Sequence, residues 1–248
     1  MQDQTADLDR NGLDRTGLDW PIPDRTSLDW PGLDWTDAAI PVSRRFGEPY
    51  YSLQGGLEET RHVFLAGNGL PDRFRDGFHI AETGFGTGLN LLVTWAAWVA
   101  AGPPGRLRYT SFEAWPMAPA DRLRALSVWP DLAPRVARLN DALSRGTGDL
   151  GDGITLSLVA GDVRESLPRW QGAVDAWYLD GFSPARNPEM WGDDLLALAA
   201  ARLAPGGTAA TYTAAGHVRR ALAAAGLEVT RARGYGRKRH MTMARKPA

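Results

Sequence analysis

The 248-residue sequence contains no cysteine, and its only histidines are His62, His79, His217 and His240. Without cysteine the chain can form neither disulfides nor thiolate metal sites, and the scattered histidines lack metal-ligand spacing, so we expect no metal. No apolar run approaches the roughly 20 residues of a transmembrane helix. The acidic amino terminus does not resemble a secretory signal. These absences exclude a membrane protein and favour a cytoplasmic one.

The net charge of −1 conceals an asymmetry between the amino terminus and the rest of the chain. Residues 1–39 contain nine Asp and three Arg, a local charge of −6, whereas the remainder carries +5. Short Asp-, Gly- and Pro-rich copies of LDR and LDW fill residues 1–32, which predicts a disordered low-complexity arm. An alternative is an acidic, Trp-bearing arm that binds a partner or covers a basic surface. The basic remainder favours a polyanionic partner.

From residue 33 onward the composition predicts one folded domain over 33–248. The segment GEPYYSLQGGLEETRHVFLAGN predicts a short hairpin and a helix around 57–66, in an extension covering about 33–76. Strand and helix patterns then alternate, which predicts a mostly parallel, doubly wound α/β sheet. Predicted strands cover 78–82, 107–113, 154–162, 174–180 and 208–213, and predicted helices cover 89–101, 119–128, 132–144, 163–170, 193–204 and 217–226, with a PGG turn at 205–207.

Two closing strands, LEVTRARG and RHMTMAR, are joined by a segment too short for a crossover helix, so they should pair antiparallel.

A glycine-rich segment follows the first of these predicted parallel strands. It comprises Glu82, Gly84, Phe85, Gly86, Thr87 and Gly88. Glycines let a backbone approach a ligand closely, and the following helix amino terminus favours its negative part. A dinucleotide fingerprint would place its third glycine at position 89, which is Leu, so a nicotinamide dehydrogenase is disfavoured. The E-x-G-x-G-x-G spacing instead resembles the S-adenosylmethionine loop of class I methyltransferases.

Two acids end the next two predicted strands. Glu113 is placed to accept from both ribose hydroxyls of a nucleoside, and Asp162 from an adenine amino group. Carboxylates give strong, oriented hydrogen bonds to such groups. Either acid alone could be a helix cap or a solvated strand end. Their common position at the carboxyl edge of the sheet, where ligands bind in such folds, favours the binding role.

The segment WYLDGFSPARNPEMW places Asp180 at the end of the fourth predicted strand. An amine nucleophile must be neutral and correctly oriented to attack a methyl sulfonium, and a carboxylate that holds the amine hydrogens can orient it. Phe182 and Trp191 could stack on a planar base, and Pro184 and Pro188 would stiffen the loop. The alternatives are a turn cap for Asp180 and core packing for the two aromatic residues.

Five segments resemble the tRNA 5-aminomethyl-2-thiouridine methyltransferases, the MnmD family, which is also the amino-terminal half of bifunctional MnmC. They are LDGFSPARNPEMW, ETGFGTGLNLL, GLEETRHVFLAGN, IPVSRRF and GYGRKRHM, and the similarity extends from about Leu33 to Arg245. The resemblance implies a Rossmann-like class I fold whose seven-stranded sheet ends in an antiparallel strand. It implies methyl transfer from S-adenosylmethionine to the aminomethyl nitrogen of the wobble uridine, which yields 5-methylaminomethyl-2-thiouridine.

The resemblance assigns roles to individual residues. Asp180 would be the catalytic or aligning acid, and Glu82, the 84–88 loop, Glu113 and Asp162 would contact the cofactor. Arginine forks fit phosphates, although a solvated basic face is an alternative for any one of them. The candidate RNA contacts are Phe182, Pro184, Arg186, Asn187, Trp191, Arg237, Lys238 and Arg239.

The 248 residues contain no second glycine-rich βαβ unit. We therefore expect no FAD-dependent oxidase activity. A separate enzyme would then supply the free amine, or the cell would make aminomethyluridine directly. Two other function classes stay open. One is a class I methyltransferase acting on a protein or small-molecule amine. The other is a non-enzymatic, cofactor-binding scaffold that docks on tRNA, which would bind cofactor without turnover.

Overall fold

The computed structural model describes residues 32–102 and 105–248, so the predicted arm lies outside the described residues apart from Gly32. Two sheets are present in this part of the chain. The smaller one pairs β1 (Leu33–Trp35) with β2 (Pro41–Ser43) in an antiparallel hairpin. The larger one comprises β3 (Phe78–Thr83), β4 (Leu107–Glu113), β5 (Asp149–Gly151), β6 (Ile154–Ala160), β7 (Val174–Leu179), β8 (Leu203–Thr211), β9 (Glu228–Arg233) and β10 (His240–Arg245).

The order of the large sheet is β5-β6-β4-β3-β7-β8-β10-β9. Strands β6, β4, β3, β7 and β8 run parallel, whereas β10 is antiparallel to both of its neighbours. This confirms the predicted parallel sheet with an antiparallel closing pair, and the order is that of a Rossmann-like class I methyltransferase fold. The eighth strand, β5, was not predicted because its three residues, paired with β6 across an irregular register, are too few to show a period.

The helices follow the predicted alternation closely. They are α1 (Gly56–Thr60), α2 (Leu89–Ala101), α3 (Pro119–Leu126), α4 (Ala133–Ser144), α5 (Val163–Arg169), α6 (Asp193–Arg202) and α7 (Gly216–Ala224). Helix α1 continues directly as a π turn (Arg61–Leu65) and a 3-10 turn (Ala66–Asn68).

Two local predictions were wrong. The hairpin lies within 33–43, earlier than expected, and residues 47–55 form turns with a single bridge from Pro49 to Val42. The PGG segment is part of β8 rather than a turn, because Gly206 and Gly207 exchange backbone hydrogen bonds with Lys246 after β10.

Both faces of the sheet are covered, which explains why its central strands read as continuous apolar runs. Side chains alternate between two hydrophobic clusters along β3, where Ile80 packs with α2 and α4 and Ala81 packs with α5, α6 and α7. In β7, Tyr178 and Trp177 divide between the same two clusters. Because β3 lies between β4 and β7 in a parallel sheet, the loops that follow these strands meet at one edge, at the topological switch point.

Candidate active site

A cavity of about 800 Å³ opens at this carboxyl edge of the sheet. The loops that follow β3, β4, β6 and β7 form one side of it. The other side is formed largely by residues 43–54, here called the strap, which precede α1. The cavity is large enough for a nucleoside-sized ligand and brings most of the predicted site residues together.

The glycine-rich loop has a backbone that other residues would adopt only with strain. Gly84, Gly86 and Gly88 have φ angles of 77°, 52° and 78°. A Cβ atom at position 86 would lie 3.2 Å from the Tyr50 ring of the strap. Gly84 and Gly86 line the cavity together with the intervening Phe85 and Thr87, whereas Gly88 lies outside the lining, at the start of α2.

Glu113 joins this loop to the end of β4. Its Oε2 accepts from the Gly86 N–H at 2.8 Å, and its Oε1 accepts from the Trp115 N–H at 2.7 Å. Burial raises the pKa of Glu113, and these backbone hydrogen bonds and the charge of Arg122 oppose the rise. Each carboxylate oxygen retains acceptor capacity, so Glu113 can still receive hydroxyl donors from a ligand in the cavity.

Asp162 lines the same cavity and also caps a helix, which was the alternative expected from sequence. Its Oδ1 accepts from the Arg164 N–H at 2.8 Å at the start of α5, and the Arg164 guanidinium contacts both carboxylate oxygens. The hydrogen bonds from the Arg164 side chain lower the pKa of Asp162. The carboxylate is therefore ionised and held in place.

Glu82 does not lie where the sequence predicted. It is fully buried in β3 and does not line the cavity, so its position does not support a direct cofactor contact. Its Oε1 accepts from Asn90 Nδ2 at 2.9 Å, and its Oε2 from Ser111 Oγ at 2.7 Å. Burial raises the pKa of Glu82 from 4.5 to about 8. Glu82 is therefore mostly protonated at neutral pH and forms part of the packing beneath the loop.

Asp180 lies in the cavity wall directly after β7. Its Oδ1 accepts from the Gly181 N–H and its Oδ2 from Asn90 Nδ2, both at 2.8 Å. Its carbonyl oxygen accepts from Thr83 Oγ1 at 2.7 Å, which ties the residue to the end of β3. Burial raises the pKa of Asp180 to about 6. Near neutral pH it is therefore a mostly ionised carboxylate that is poised to accept a proton.

The loop after Asp180 divides into residues that face the cavity and residues that do not. Phe182 and Asn187 line it, and the Phe182 ring stacks on Phe46 of the strap with centroids 4.5 Å apart. Trp191 is 2% exposed and lies in the core, where its Nε1 donates to the Phe182 carbonyl at 2.8 Å. It supports the loop from beneath rather than framing a base. Pro184 and Arg186 lie outside the cavity lining, and Arg186 is exposed.

The predicted basic cluster between β9 and β10 reaches the cavity through two of its three residues. Arg237 and Lys238 line the cavity, whereas Arg239 is exposed and does not. Lys238 Nζ lies 2.8 Å from Glu59 Oε1 and 4.1 Å from the centroid of the Tyr212 ring. Lys238 therefore has partners within the protein, and Arg237 is the more available cation for a phosphate.

Several residues of the site were not singled out from sequence. The strap contributes Phe46, Glu48 and Tyr50, and Glu48 Oε2 accepts from the Ser183 N–H at 2.7 Å in the Asp180 loop. Asn90, in the first turn of α2, links Glu82 to Asp180. The IPVSRRF and GEPYY segments could have indicated the strap, but they show no period that places their side chains.

Residues 32–102 and 105–248 contain neither a helix suited to span a membrane nor a cluster suited to bind a metal ion. No helix there combines the length and apolar character needed to span a membrane. No group of three or more His, Cys, Asp or Glu side chains there is arranged to hold a metal ion.

Comparisons with known proteins identify similar chains. A family model described as S-adenosyl-L-methionine-dependent methyltransferase matches residues 141–247. The tRNA 5-methylaminomethyl-2-thiouridine biosynthesis bifunctional protein MnmC of Ectopseudomonas mendocina is 47% identical over 221 residues, covering 84% of this chain and 34% of its own length. Its counterpart in Caulobacter vibrioides is 47% identical over 224 residues, covering 87% and 38%. The chain thus spans only a little over a third of the length of these curated relatives.

A solved structure resembles the whole domain. The crystal structure of MnmC2 from Aquifex aeolicus is 26% identical and superposes with a TM-score of 0.69, covering 89% of this chain and 73% of that one.

Proposed function

The chain belongs to the S-adenosyl-L-methionine-dependent methyltransferases and corresponds to the methyltransferase part of MnmC, and we propose that it methylates the aminomethyl nitrogen of 5-aminomethyl-2-thiouridine at the wobble position of cytoplasmic tRNA. The product is 5-methylaminomethyl-2-thiouridine. The observation that carries the proposal is Asp180, a carboxylate in the wall of an 800 Å³ cavity, beside the glycine-rich loop. The relatives are named for the biosynthesis of 5-methylaminomethyl-2-thiouridine in tRNA, which supports the choice of substrate.

The residues around the cavity fit an adenosyl cofactor. Glycine suits the left-handed backbone at positions 84 and 86 of the cavity wall, and Glu113 presents acceptor capacity for ribose hydroxyls. Asp162 lines the cavity with its carboxylate held in place by Arg164 and could accept from an amino group. These residues would hold S-adenosylmethionine, which when bound supplies an electrophilic methyl group.

Asp180 would prepare the substrate amine. An alkyl amine of this kind is mostly protonated at neutral pH, by analogy with a lysine pKa of ~10.4, and only the neutral form has a free lone pair. An ionised Asp180 can take one proton from the ammonium and hold the remaining amine hydrogens. Its two oxygens are each fixed by one donor, from Gly181 and Asn90, so their remaining acceptor capacity has a defined direction.

The wobble base lies in a single-stranded loop and can be splayed out without opening a duplex. Phe46, Tyr50 and Phe182 provide aromatic surface in the cavity lining, and exposed Arg237 lines it as well. Arg186 and Arg239 are exposed near these loops and could meet the phosphate backbone at a distance from the cavity.

The test is nucleoside mass spectrometry of tRNA that carries 5-aminomethyl-2-thiouridine, after incubation with the protein and isotope-labelled cofactor. We expect a labelled 5-methylaminomethyl-2-thiouridine product. The Asp180→Asn variant should lose about 10²- to 10⁴-fold in single-turnover rate, because it cannot accept the proton, yet bind the cofactor as the parent does. Asp175→Asn is the matched control, since Asp175 lies in β7, the strand that leads to Asp180, but contacts His79 N–H and Arg75.

Two results would contradict the proposal. One is an unmodified tRNA pool after incubation with protein that binds the cofactor, which would favour a scaffold or a different amine substrate. The other is equal rates for Asp180→Asn and Asp175→Asn. A parallel incubation with carboxymethylaminomethyl-modified tRNA shows whether the acceptor must be a free amine.

A further inference from the structure

The side chain of Asn90 connects three elements in the wall of the cavity. Its Nδ2 lies 2.8 Å from Asp180 Oδ2 and 2.9 Å from Glu82 Oε1, and its Oδ1 accepts from Thr60 Oγ1 at 2.8 Å. We propose that Asn90, anchored by Glu82 and Thr60, is the positioning residue that fixes the orientation of the Asp180 carboxylate. This inference rests on the proposed function, in which Asp180 receives the amine hydrogens.

The hydrogen-bond pattern defines the amide orientation of Asn90. Asp180 Oδ2 and Glu82 Oε1 face one end of the amide. The ionised Asp180 carboxylate can only accept, so that end must be the NH₂ group, and the hydroxyl of Thr60 donates to the other end. Both amide hydrogens and the carbonyl oxygen are thereby used, and Asn90 is only 7% exposed. The three partners come from α1, β3 and the end of β7, so rotation of the amide would break contacts to all three elements.

Asn90 supplies one of the two contacts that fix the Asp180 carboxylate. The Gly181 N–H holds Oδ1 and Asn90 Nδ2 holds Oδ2, which together define the plane of the group. If the Asn90 contact is removed, the carboxylate can rotate about χ2, a torsion with broad preferences. Small errors in the alignment of reacting groups lower the reaction rate by large factors.

The anchors of Asn90 are themselves held. Glu82 Oε2 accepts from Ser111 Oγ at 2.7 Å, and burial raises its pKa to about 8, so a second negative charge beside Asp180 is largely avoided at neutral pH. The ionisable groups that act electrostatically on Asp180 come from five other parts of the described structure. They are Glu59 of α1, Glu82 of β3, Tyr109 of β4, Tyr212 after β8 and Lys238 between β9 and β10.

The first test compares two buried asparagines. Asn90→Ala should lower kcat about 10- to 100-fold with little change in KM for tRNA or in cofactor affinity. Asn68→Ala is the matched control, because Asn68 is also buried and hydrogen-bonded but does not line the cavity. Asn68 donates to the Phe64 carbonyl and accepts from Thr208 Oγ1. It should lose stability while kcat remains at the parental value.

The second test measures the ionisation of Asp180 directly. Asn90 donates to the ionised carboxylate, so Asn90→Ala should raise the pKa of Asp180 above about 6 and shift the acidic limb of the single-turnover rate upward. Carboxyl-detected NMR of ¹³C-labelled aspartate follows the same titration without tRNA. A lack of methylation by the parent protein would therefore count against the proposed function, while the NMR titration still tests the role of Asn90.

The third test uses the anchor on α1, in case Asn90→Ala does not fold. Thr60→Val removes the hydroxyl that holds Asn90 Oδ1, and should lower kcat. Thr60→Ser restores the hydroxyl and should recover it. An unchanged Asp180 pKa in Asn90→Ala, or equal kcat for Thr60→Val and Thr60→Ser, would overturn the positioning role.

Discussion

At the scale of single residues, Gly86 has a backbone and an environment that both disfavour a side chain. Its φ of 52° is left-handed, its N–H donates to Glu113, and a Cβ atom would lie 3.2 Å from the Tyr50 ring. One small residue thus lets the loop, the end of β4 and the strap meet at the cavity wall.

Gly86→Ala should therefore weaken cofactor binding about tenfold, because the added methyl group displaces either Tyr50 or the loop that Glu113 holds. It should also cost about 1 kcal/mol of stability from the left-handed backbone. Gly102→Ala is the control: Gly102 has a φ of 60° at the end of α2, and its Cβ would meet no atom within 4 Å. Calorimetric titration with S-adenosylhomocysteine should show weaker binding by Gly86→Ala than by Gly102→Ala. Equal affinities of the two variants would contradict a role for the loop in binding.

The acids at the strand ends show what the sequence could predict at this scale. Asp180, Glu113 and Asp162 were expected at the carboxyl edge, and all three line the cavity. Glu82 is the last but one residue of β3, and its side chain is directed into the core beside Asn90. The direction was not predictable, because β3 is buried on both faces and shows no alternation of polar and apolar residues. The indole of Trp191 is likewise placed by contacts with Phe182 and Tyr212 that no local pattern encodes.

At the scale of elements, the strap closes the cavity through two kinds of contact with the Asp180 loop. Phe46 stacks on Phe182 with centroids 4.5 Å apart, and the Tyr50 ring approaches Phe182 edge-on at 5.2 Å. Glu48 Oε2 accepts from the Ser183 N–H, and its Oε1 accepts from Ser183 Oγ. Movement of the strap would therefore also displace the residues next to Asp180, because these contacts join the two segments.

The strap is also the element that the sequence described least well. Apart from β5, the strands and helices from β3 onward were predicted because each has a local signal, either a short apolar run bounded by turns or a helical period of 3.6 residues. The strap consists of turns without such a period, and its pairing with Ser183 spans 135 positions of the chain. Its location depends on the assembled sheet, so a local pattern could not give it.

Glu48→Ala should loosen the strap and the Asp180 loop together. Hydrogen exchange in residues 181–187 should become faster, because the Ser183 N–H loses its acceptor, and cofactor release measured by stopped flow should accelerate. Glu58→Ala, an exposed acid on α1, is the control for the loss of one negative charge. Exchange in 181–187 that is as slow in Glu48→Ala as in Glu58→Ala would show that the contact does not restrain the loop.

At the scale of the whole molecule, the parallel sheet gathers acids from three neighbouring strands into one buried region. Burial raises the pKa of Glu82, Glu113 and Asp180 above their ordinary values. A carboxyl group whose pKa is raised on folding holds its proton to higher pH in the folded state than in the unfolded state. Its contribution to stability is therefore complete below the unfolded pKa and is lost as the pH rises through the folded pKa.

For Glu82 that window extends from 4.5 to about 8. Within it, this one group should lower the free energy of unfolding by up to about 1.4 kcal/mol per pH unit as the pH rises. Glu82→Gln resembles the protonated acid, since its carbonyl oxygen can accept from Asn90. Its amide, like the hydroxyl of the protonated acid, can donate to Ser111 Oγ, because a serine hydroxyl accepts as well as donates. The free energy of unfolding of the variant should therefore not show this decrease with pH. Its stability relative to the parent should increase steadily between pH 5 and pH 8.

Urea unfolding of parent and variant at pH 5, 6.5 and 8 measures that difference directly. The comparison cancels the opposite contribution of Asp162, whose pKa is lowered by Arg164, because both proteins contain that pair. Glu58→Gln, a change of the same type at an exposed position, should give a difference that does not vary with pH in this range. If the Glu82→Gln difference were equally constant, Glu82 would be ionised throughout, and two adjacent negative charges would have to be accommodated beneath the cavity.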